Sequence, residues 1–269
     1  MDVLDQAAQV RPGEELPKGP LTAYISSALG LRSDVELQIS QFPGGYSNLT
    51  YLVRCGDREL VLRRPPFGSK VKSAHDMGRE FRILSALHPI YGKVPRPLSY
   101  CDDESVLGAP FYLMERVPGV ILRKSPQPEL GLTEAKLPAL CAALCDTLCE
   151  LHALDWAKAG LSELGRPEGY VERQVSGWSK RYRDAQTDEV PVVHEVMDWL
   201  AKHIPVSPPA TLVHNDFKFD NVILDPGDLT RVRAVLDIEK PAHTHYTLTI
   251  SGPSFQIGVH STVGQDTLI

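Results

Sequence analysis

Leu212-Val213-His214-Asn215-Asp216-Phe217-Lys218-Phe219-Asp220-Asn221 is the stretch from which the fold of this chain can be read. A His and an Asp two residues apart follow an apolar run, an Asn comes five residues after the Asp, and the apolar Val222-Ile223-Leu224 leads away from it. A second strand-like run, Val232 to Leu236, ends at Asp237. Acids, an amide and an imidazole gathered at strand ends suit the handling of phosphate and Mg²⁺. From spacing alone, the same residues also make an ordinary polar turn between two core strands.

Between the two strand-like runs, Pro226-Gly227-Asp228 reads as a hairpin turn. If the strands pair about residues 228 and 229, Asn221 and Asp237 come out side by side at the open end. Asp216, in the loop feeding the first strand, reaches the same end. The product is an amide and a carboxylate able to share Mg²⁺, with a second carboxylate nearby as a base. Phosphoryl transfer needs both: a cation to neutralise phosphate oxygens and a carboxylate to orient or accept the proton of the attacking hydroxyl. A metal-dependent hydrolase uses such acids too, but normally recruits more His or carboxylate ligands.

The whole chain narrows the class. Its 269 residues, 42% hydrophobic and 23% charged, fit one large domain or two lobes with a sizeable core. A net charge of −6 argues against nucleic acid as the main partner, because a phosphate backbone calls for a basic face. No apolar run approaches the ~18 residues of a membrane span, so no membrane partner is expected. The acidic start Met1-Asp2-Val3-Leu4-Asp5 lacks the basic-then-apolar pattern of a signal peptide. Five cysteines without a CxxC pair suit reduced thiols in a cytoplasmic protein. Cys141, Cys145 and Cys149 recur every fourth residue and would share one helical stripe, read as core packing. Cys149 and His152 also have a spacing that a metal site could use.

The first half alternates like a sheet. Residues 1–20, rich in Pro and Gly, read as a mobile lead-in, and Leu21 to Leu29 as a short helix closed by Gly30. Three strands follow, Glu36 to Phe42, Leu49 to Arg54 and Glu59 to Arg64, the last two joined by a tight turn at Cys55-Gly56-Asp57. Gly44-Gly45 in the first corner permits a backbone cradle for phosphate, or simply turns a hairpin. There is no GxxxxGK[ST], which excludes a Walker-type loop. Ser73 is expected to open a helix with Met77, Phe81, Leu84 and Leu87 on its apolar stripe. Glu80 lies beside that stripe, where a carboxylate is costly unless it is paired or reaches water. Arg63 or Arg64 is the obvious partner. Pro95 to Cys101 and Phe111 to Val117 read as two more strands joined by an acidic turn, and Pro118-Gly119 as a lobe boundary.

Helices dominate the second half. Thr133 is a plausible N-cap for Glu134 to about Leu154, followed by amphipathic runs at Gln174 to Arg183 and Val192 to His203.

The run from His214-Asn215-Asp216 through Asn221, and then Asp237, resembles the catalytic motif of the aminoglycoside phosphotransferase-like (choline kinase-type) kinases. The likeness is stronger to the kinase-like domain attached to some acyl-CoA dehydrogenases. Val61 to Pro66, Arg79-Glu80-Phe81, Phe111 to Glu115, Gly169-Tyr170, Arg173-Gln174-Val175 and Trp178 match in order, so the likeness covers about Leu21 to Asp237. The resemblance implies an α+β, two-lobed protein-kinase-like fold with ATP between the lobes. An antiparallel N-lobe with one helix would span 21–117, and a mainly helical, incomplete C-lobe 118–237. It implies Asp216 as catalytic base in a loop shared with His214, with Asn221 and Asp237 holding Mg²⁺. Glu80 would pair with Arg63, Gly44, Gly45 and Ser47 would cover the phosphates, and Met114, Glu115 and Val117 would lie along the adenine. The activity implied is ATP-dependent phosphorylation of a small-molecule hydroxyl, on a hydroxyacyl-CoA or an aminoglycoside-like compound. A nucleotide-binding pseudokinase or an inactive truncated product is the alternative.

Two positions depart from the pattern. Arg63 stands where many kinases carry Lys, and Arg forks differently. After Asp237 the family continues with Trp-Glu and a Gly-Asp-Pro segment, whereas this chain reads Ile238-Glu239-Lys240-Pro241. Its tail, residues 238–269, is therefore read as foreign to the family. Thr247 to Ile250 and Phe255 to Val259 are strand-like there, and His243, His245 and His260 are a scattered metal-ligand possibility.

Overall fold

Runs of alternating apolar and polar residues separated by short turns have one economical solution, an antiparallel sheet that buries one side chain in two on each face. The computed structural model describes residues 4–43, 48–68, 76–123, 128–165, 167–206, 209–238, 251–252 and 255–256. Among them, β1 (Leu37–Gln41), β2 (Leu49–Cys55), β3 (Arg58–Arg64), β4 (Pro97–Cys101) and β5 (Phe111–Glu115) form one sheet in the order β1-β2-β3-β5-β4. Every neighbouring pair is antiparallel. Gly56, at φ 58°, supplies the left-handed residue of the β2–β3 turn, which sets Cys55 opposite Arg58.

Both faces of the sheet are covered. Tyr51, Val53, Leu60, Leu62, Phe111 and Leu113 share a core with Leu21 and Ile25 of α1 (Lys18–Leu29). Gly30, at φ 63°, ends that helix in a left-handed cap. On the other face lies α2 (Met77–Leu87), which contacts β4 and β5 and buries Met77, Ile83, Leu84 and Leu87. Phe81 stacks on Tyr100 with ring centroids 5.8 Å apart. The cap of α2 differs from the expectation. Asp76 serves instead of Ser73, its carboxylate accepting from the Arg79 backbone N–H at 2.9 Å, and Ser73 lies outside the described residues.

The acidic turn between β4 and β5 is itself a helical turn, α3 (Glu104–Leu107), capped by Asp103 and ended by Gly108 at φ 75°. One 3₁₀ turn, Glu134–Lys136, precedes α4 (Leu137–His152), and Thr133 gives it no side-chain cap. The cysteine stripe is a correction. Cys141, Cys145 and Cys149 are exposed, because the inward face of α4 is taken by Leu140, Thr147 and Leu151. Among the described residues no cluster of three His, Cys, Asp or Glu is placed to hold a metal ion. No described helix is long and apolar enough to cross a membrane.

The chain divides into two compact units, residues 1–150 with 213–269, and residues 151–212. The first holds the sheet, α1 to α3, most of α4, and a hairpin of β6 (Val222–Leu224) and β7 (Val232–Val235). Within it, residues after Pro118-Gly119 run along β6, where Val120 and Leu224 exchange backbone hydrogen bonds of 2.9 and 2.8 Å. The second unit holds α5 (Tyr170–Ala185) and α6 (Pro191–Lys202), which pack on one another. Ser251–Gly252 and Phe255–Gln256 pair antiparallel. Residues 239–250, 253–254 and 257–269, with His243, His245 and His260, lie outside the described residues.

The expected lead-in makes specific contacts from Asp5 onward. Ala8 and Gln41 exchange two backbone hydrogen bonds of 2.8 Å, and the Tyr51 hydroxyl donates to the Glu14 carbonyl at 2.8 Å.

Candidate active site

The β6–β7 hairpin carries the loop of residues 214–221 at its open end. Val222 pairs with Val235, and the Leu236 N–H donates to the Asn221 carbonyl at 2.8 Å. Asn221 therefore stands opposite Leu236, with Asp237 one residue further on, a single step from the side-by-side placement expected. Asn215 and Asp237 both hold left-handed backbone, at φ 66° and 54°. Such positions cost of order ~1–3 kcal/mol each and persist only where surrounding contacts over-determine them.

His214 supplies much of that constraint. Its Nε2 lies 2.7 Å from the Leu236 carbonyl, and the Asp216 backbone N–H donates to its Nδ1 at 3.2 Å. This pattern calls for the Nε2–H tautomer, a neutral ring that clamps the loop to the end of β7. Burial pushes the imidazole below its usual value, which favours the same neutral form.

Asp216 is buried. Its Oδ2 accepts from Asn221 Nδ2 at 2.9 Å and pairs with Lys218 Nζ at 3.1 Å. Asn221 Nδ2 also donates to the Asp216 carbonyl at 2.8 Å. With its amide nitrogen engaged by Asp216, Asn221 has its Oδ1 left to face elsewhere.

A second network comes from the sheet and α2. Alternation along β3 sends Arg63 to the α2 face, with its Nε 3.6 Å from Glu80 Oε2 and its Nη1 on Asp237. Arg64 points the opposite way, donating to the Leu107 carbonyl at 3.2 Å with its guanidinium over the Phe67 ring. The structure thus chooses Arg63 over Arg64 as the partner of Glu80. Two more donors complete the Glu80 carboxylate, Asn48 Nδ2 at 2.8 Å and the Tyr112 hydroxyl at 3.0 Å. Burial raises the Glu80 carboxyl above its usual value although Arg63 works against the rise. For Arg63, burial opposes the charge, but Asp237, Tyr112 and Glu80 hold its pKa well above normal.

Both networks border one cavity of about 370 Å³. Val61, Pro95, Met114, Val117, Ile223 and Leu236 give it an apolar slot. Asn48, Arg63, Lys218, Asn221 and Asp237 give it a polar end, and Glu115 also lines it. Met114, Glu115 and Val117 thus line the same cavity as Arg63, Asn221 and Asp237. Glu80 and Asp216 stand behind this lining, in contact with Arg63 and with Asn221 and Lys218. Gly44, Gly45 and Ser47 lie outside the described residues. The donor set suits a hard cation, since the Asp237 carboxylate and Asn221 Oδ1 offer oxygen ligands and Mg²⁺ typically takes only one or two from protein when phosphate supplies others. The polar end and the slot likewise suit a nucleotide's phosphates and base.

Several lining or supporting residues escaped the sequence reading. Tyr112 was within reach of it, because alternation puts it on the same β5 face as Met114. Asn48, beside the Gly-Gly turn, gave only a weak signal. Asp5, Arg116 and Arg123, which also line the cavity, gave none.

Comparison with known proteins bears on this arrangement. Residues 38–240 match the family described as "Phosphotransferase enzyme family". "Acyl-CoA dehydrogenase family member 10" of Mus musculus is 40% identical over 230 residues, which cover 86% of this chain and 21% of that protein. The chain therefore spans about a fifth of that relative's length. A crystal structure from Ralstonia eutropha, titled a "putative aminoglycoside phosphotransferase", matches at 30% identity with a TM-score of 0.69, covering 83% of this chain and 64% of that one. A thermostable aminoglycoside phosphotransferase mutant, in ternary complex with ADP and hygromycin B, shares the fold at 19% identity and a TM-score of 0.54, covering 82% and 71%.

Proposed function

The chain belongs to the phosphotransferase enzyme family, and on that premise we propose that it transfers the γ-phosphoryl group of ATP to a hydroxyl of a small molecule, with Mg²⁺. The observation that carries this reading is the convergence of Asn221, Asp237 and Arg63 in the lining of a cavity that also has apolar walls, with Asp216 bonded to Asn221 behind them.

The adenine takes the slot of Val61, Met114 and Val117, with Glu115 at its edge. Arg63, steadied by Glu80, faces the phosphates. Asn221 Oδ1 and the Asp237 carboxylate would hold Mg²⁺, which would neutralise charge on the phosphate oxygens. The Asp216 carboxylate takes the proton of the acceptor hydroxyl as the new P–O bond forms. The bond from the γ-phosphorus to its bridging oxygen breaks, and ADP leaves. Lys218, half-exposed beside Asp216, must move aside for the acceptor. His214 touches neither reactant and positions Asp216 through the backbone.

In this reading residues 21–117 carry nucleotide binding, 118–237 carry the catalytic loop, and the protein works in the cytoplasm. The ADP-bound neighbour supports the nucleotide. The acyl-CoA dehydrogenase name of the relative supports a hydroxyacyl-CoA as acceptor, ahead of the aminoglycoside type of the hygromycin B complex.

The test is transfer of labelled γ-phosphate to a panel of hydroxyacyl-CoA thioesters and aminoglycosides. A phosphate ester on a thioester, lost in Asp216→Asn with ATP binding kept, is the expected result. Binding of ATP with no transfer to any acceptor would overturn it in favour of a nucleotide-binding regulatory module.

A further inference from the structure

The cavity has a third wall, built by a part of the chain remote in sequence from both networks. Asp5 donates its backbone N–H to the Gly119 carbonyl at 2.9 Å, and its own carbonyl accepts from Arg116 Nη2 at 3.0 Å. Both its carboxylate oxygens accept from Arg123, Oδ1 from Nη1 and Oδ2 from Nη2. Arg116 is fixed in turn by Glu59 Oε2 at 2.6 Å. From Asp5 the segment runs to β1, where the Arg11 N–H donates to the side-chain oxygen of the buried Gln41 at 2.9 Å. This strap delivers one carboxylate, that of Asp5, to the cavity lining beside Gly119, Ile121 and Arg123.

Its place has a chemical meaning if the cavity is the nucleotide site, on which this inference rests. Residues 114–117 border the base slot, and Arg63, Asn221 and Asp237 mark the phosphate end. A nucleotide spanning those two features carries its sugar between them. Among the described residues, the part of the lining that follows directly after the base-lining residues in sequence, Gly119, Ile121 and Arg123, is the part to which Asp5 is bonded. A carboxylate has about four lone-pair positions, so two N–H bonds from Arg123 leave acceptor capacity for a vicinal diol. A bidentate Arg fixes the carboxylate in one orientation, as recognition of a diol requires. A strut alone would not need to face the cavity.

We propose that Asp5, presented by the N-terminal strap and oriented by Arg123, accepts hydrogen bonds from the ribose hydroxyls of the bound nucleotide and selects ribonucleotides over deoxyribonucleotides. A site built to bond a hydroxyl discriminates against the analogue that lacks it, because the acceptor is then left without its partner.

The experiment is calorimetric titration of the full chain, wild type and Asp5→Ala, with Mg·ATP, Mg·2′-deoxyATP and Mg·3′-deoxyATP. Wild type is expected to bind ATP about tenfold more tightly than at least one deoxy analogue, the scale of one hydrogen bond to a charged group. Asp5→Ala is expected to lose that preference by weakening ATP alone. Nucleotide-free melting shows whether the variant folds. If it does not, Asp5→Asn, which keeps the shape and drops the charge, takes its place and is expected to cut the preference severalfold. Equal wild-type affinity for all three nucleotides overturns the assignment, as does an Asp5 variant that weakens all three alike or keeps the preference. Failure of wild type to bind any of them would remove the nucleotide reading itself. That result is seen without any variant and is therefore distinct.

Discussion

Asn221 Nδ2 donates to Asp216 twice, to its carboxylate at 2.9 Å and to its carbonyl at 2.8 Å, so the proposed metal ligand and the proposed base are set by one amide. Truncating that amide should fail in two ways at once. Asn221→Ala removes an oxygen from the proposed cation site and a hydrogen-bond donor from Asp216. Misplacement of a reacting group typically costs about a hundredfold in rate, and single-turnover phosphate transfer should fall at least that far. Retention of most of the rate would detach Asn221 from the chemistry.

Arg63 stands between two acids, Glu80 and Asp237, in a setting largely closed to water. Arg63→Met removes the cation that joins the two carboxylates. Breaking a buried pair from one side usually costs about 3–5 kcal/mol, and urea unfolding of the variant should show a loss of that order. Adding Glu80→Gln should recover part of it, because the second change removes the stranded charge. Additive losses in the double variant would mean that the two side chains are not coupled.

His214 should make stability depend on pH in a definite sense. Its folded pKa lies below the usual 6.5, so the unfolded chain binds the proton more readily. Stability is therefore full above pH 6.5 and falls as pH drops through the folded value, by at most about 1.4 kcal/mol per unit. Glu80, pushed up by burial, runs the other way. Its ionisation costs the folded state, so its contribution is greatest at low pH and is lost as pH rises through its folded value. The comparison with His214→Gln isolates the imidazole, since Glu80 is common to both proteins. The stability advantage of wild type over this variant should shrink between pH 7.5 and 5.5, as followed by denaturant unfolding. A constant difference would show that His214 does not stay neutral on folding.

Gly119 is fitted against β6. A Cβ there would overlap Ile223 Cγ2 and come within 2.6 Å of the Leu224 carbonyl oxygen. Gly119→Ala must push the 118–123 segment away from β6, at the ~1–3 kcal/mol typical of overpacking. A lowered melting point together with weaker nucleotide binding is expected, because Gly119 and Ile223 both line the cavity. An unchanged melt would mean that the contact relaxes freely.

How much of this was legible in the sequence depends on the range of the signal. Period-two alternation in β2, β3 and β5 and the Gly56 turn are local, and they described the meander closely. The hairpin register followed from turn position, which brought Asn221 and Asp237 to one end within a single residue. Glu80 beside the apolar stripe called for a cation or for water, and Arg63 and Arg64 are equivalent in sequence; only the facing of β3 against α2 separates them. The outward turn of Cys141, Cys145 and Cys149 was misread because spacing gives a stripe without saying which way it faces. Asp5 was out of reach, since nothing local ties residue 5 to Gly119 or Arg123. Contacts that join distant segments through charge and backbone bonds leave no periodic trace.

The most direct measurement is thermal unfolding of the purified chain with ATP alone, with Mg²⁺ alone, and with both. Saturation at a hundred times Kd stabilises the folded state by about 2.7 kcal/mol. A rise in melting temperature that needs both partners, and that Asp237→Asn abolishes, is the expected result. A chain that melts at the same temperature in all three conditions would contradict the assignment of this cavity to Mg·ATP, and the phosphotransferase proposal with it.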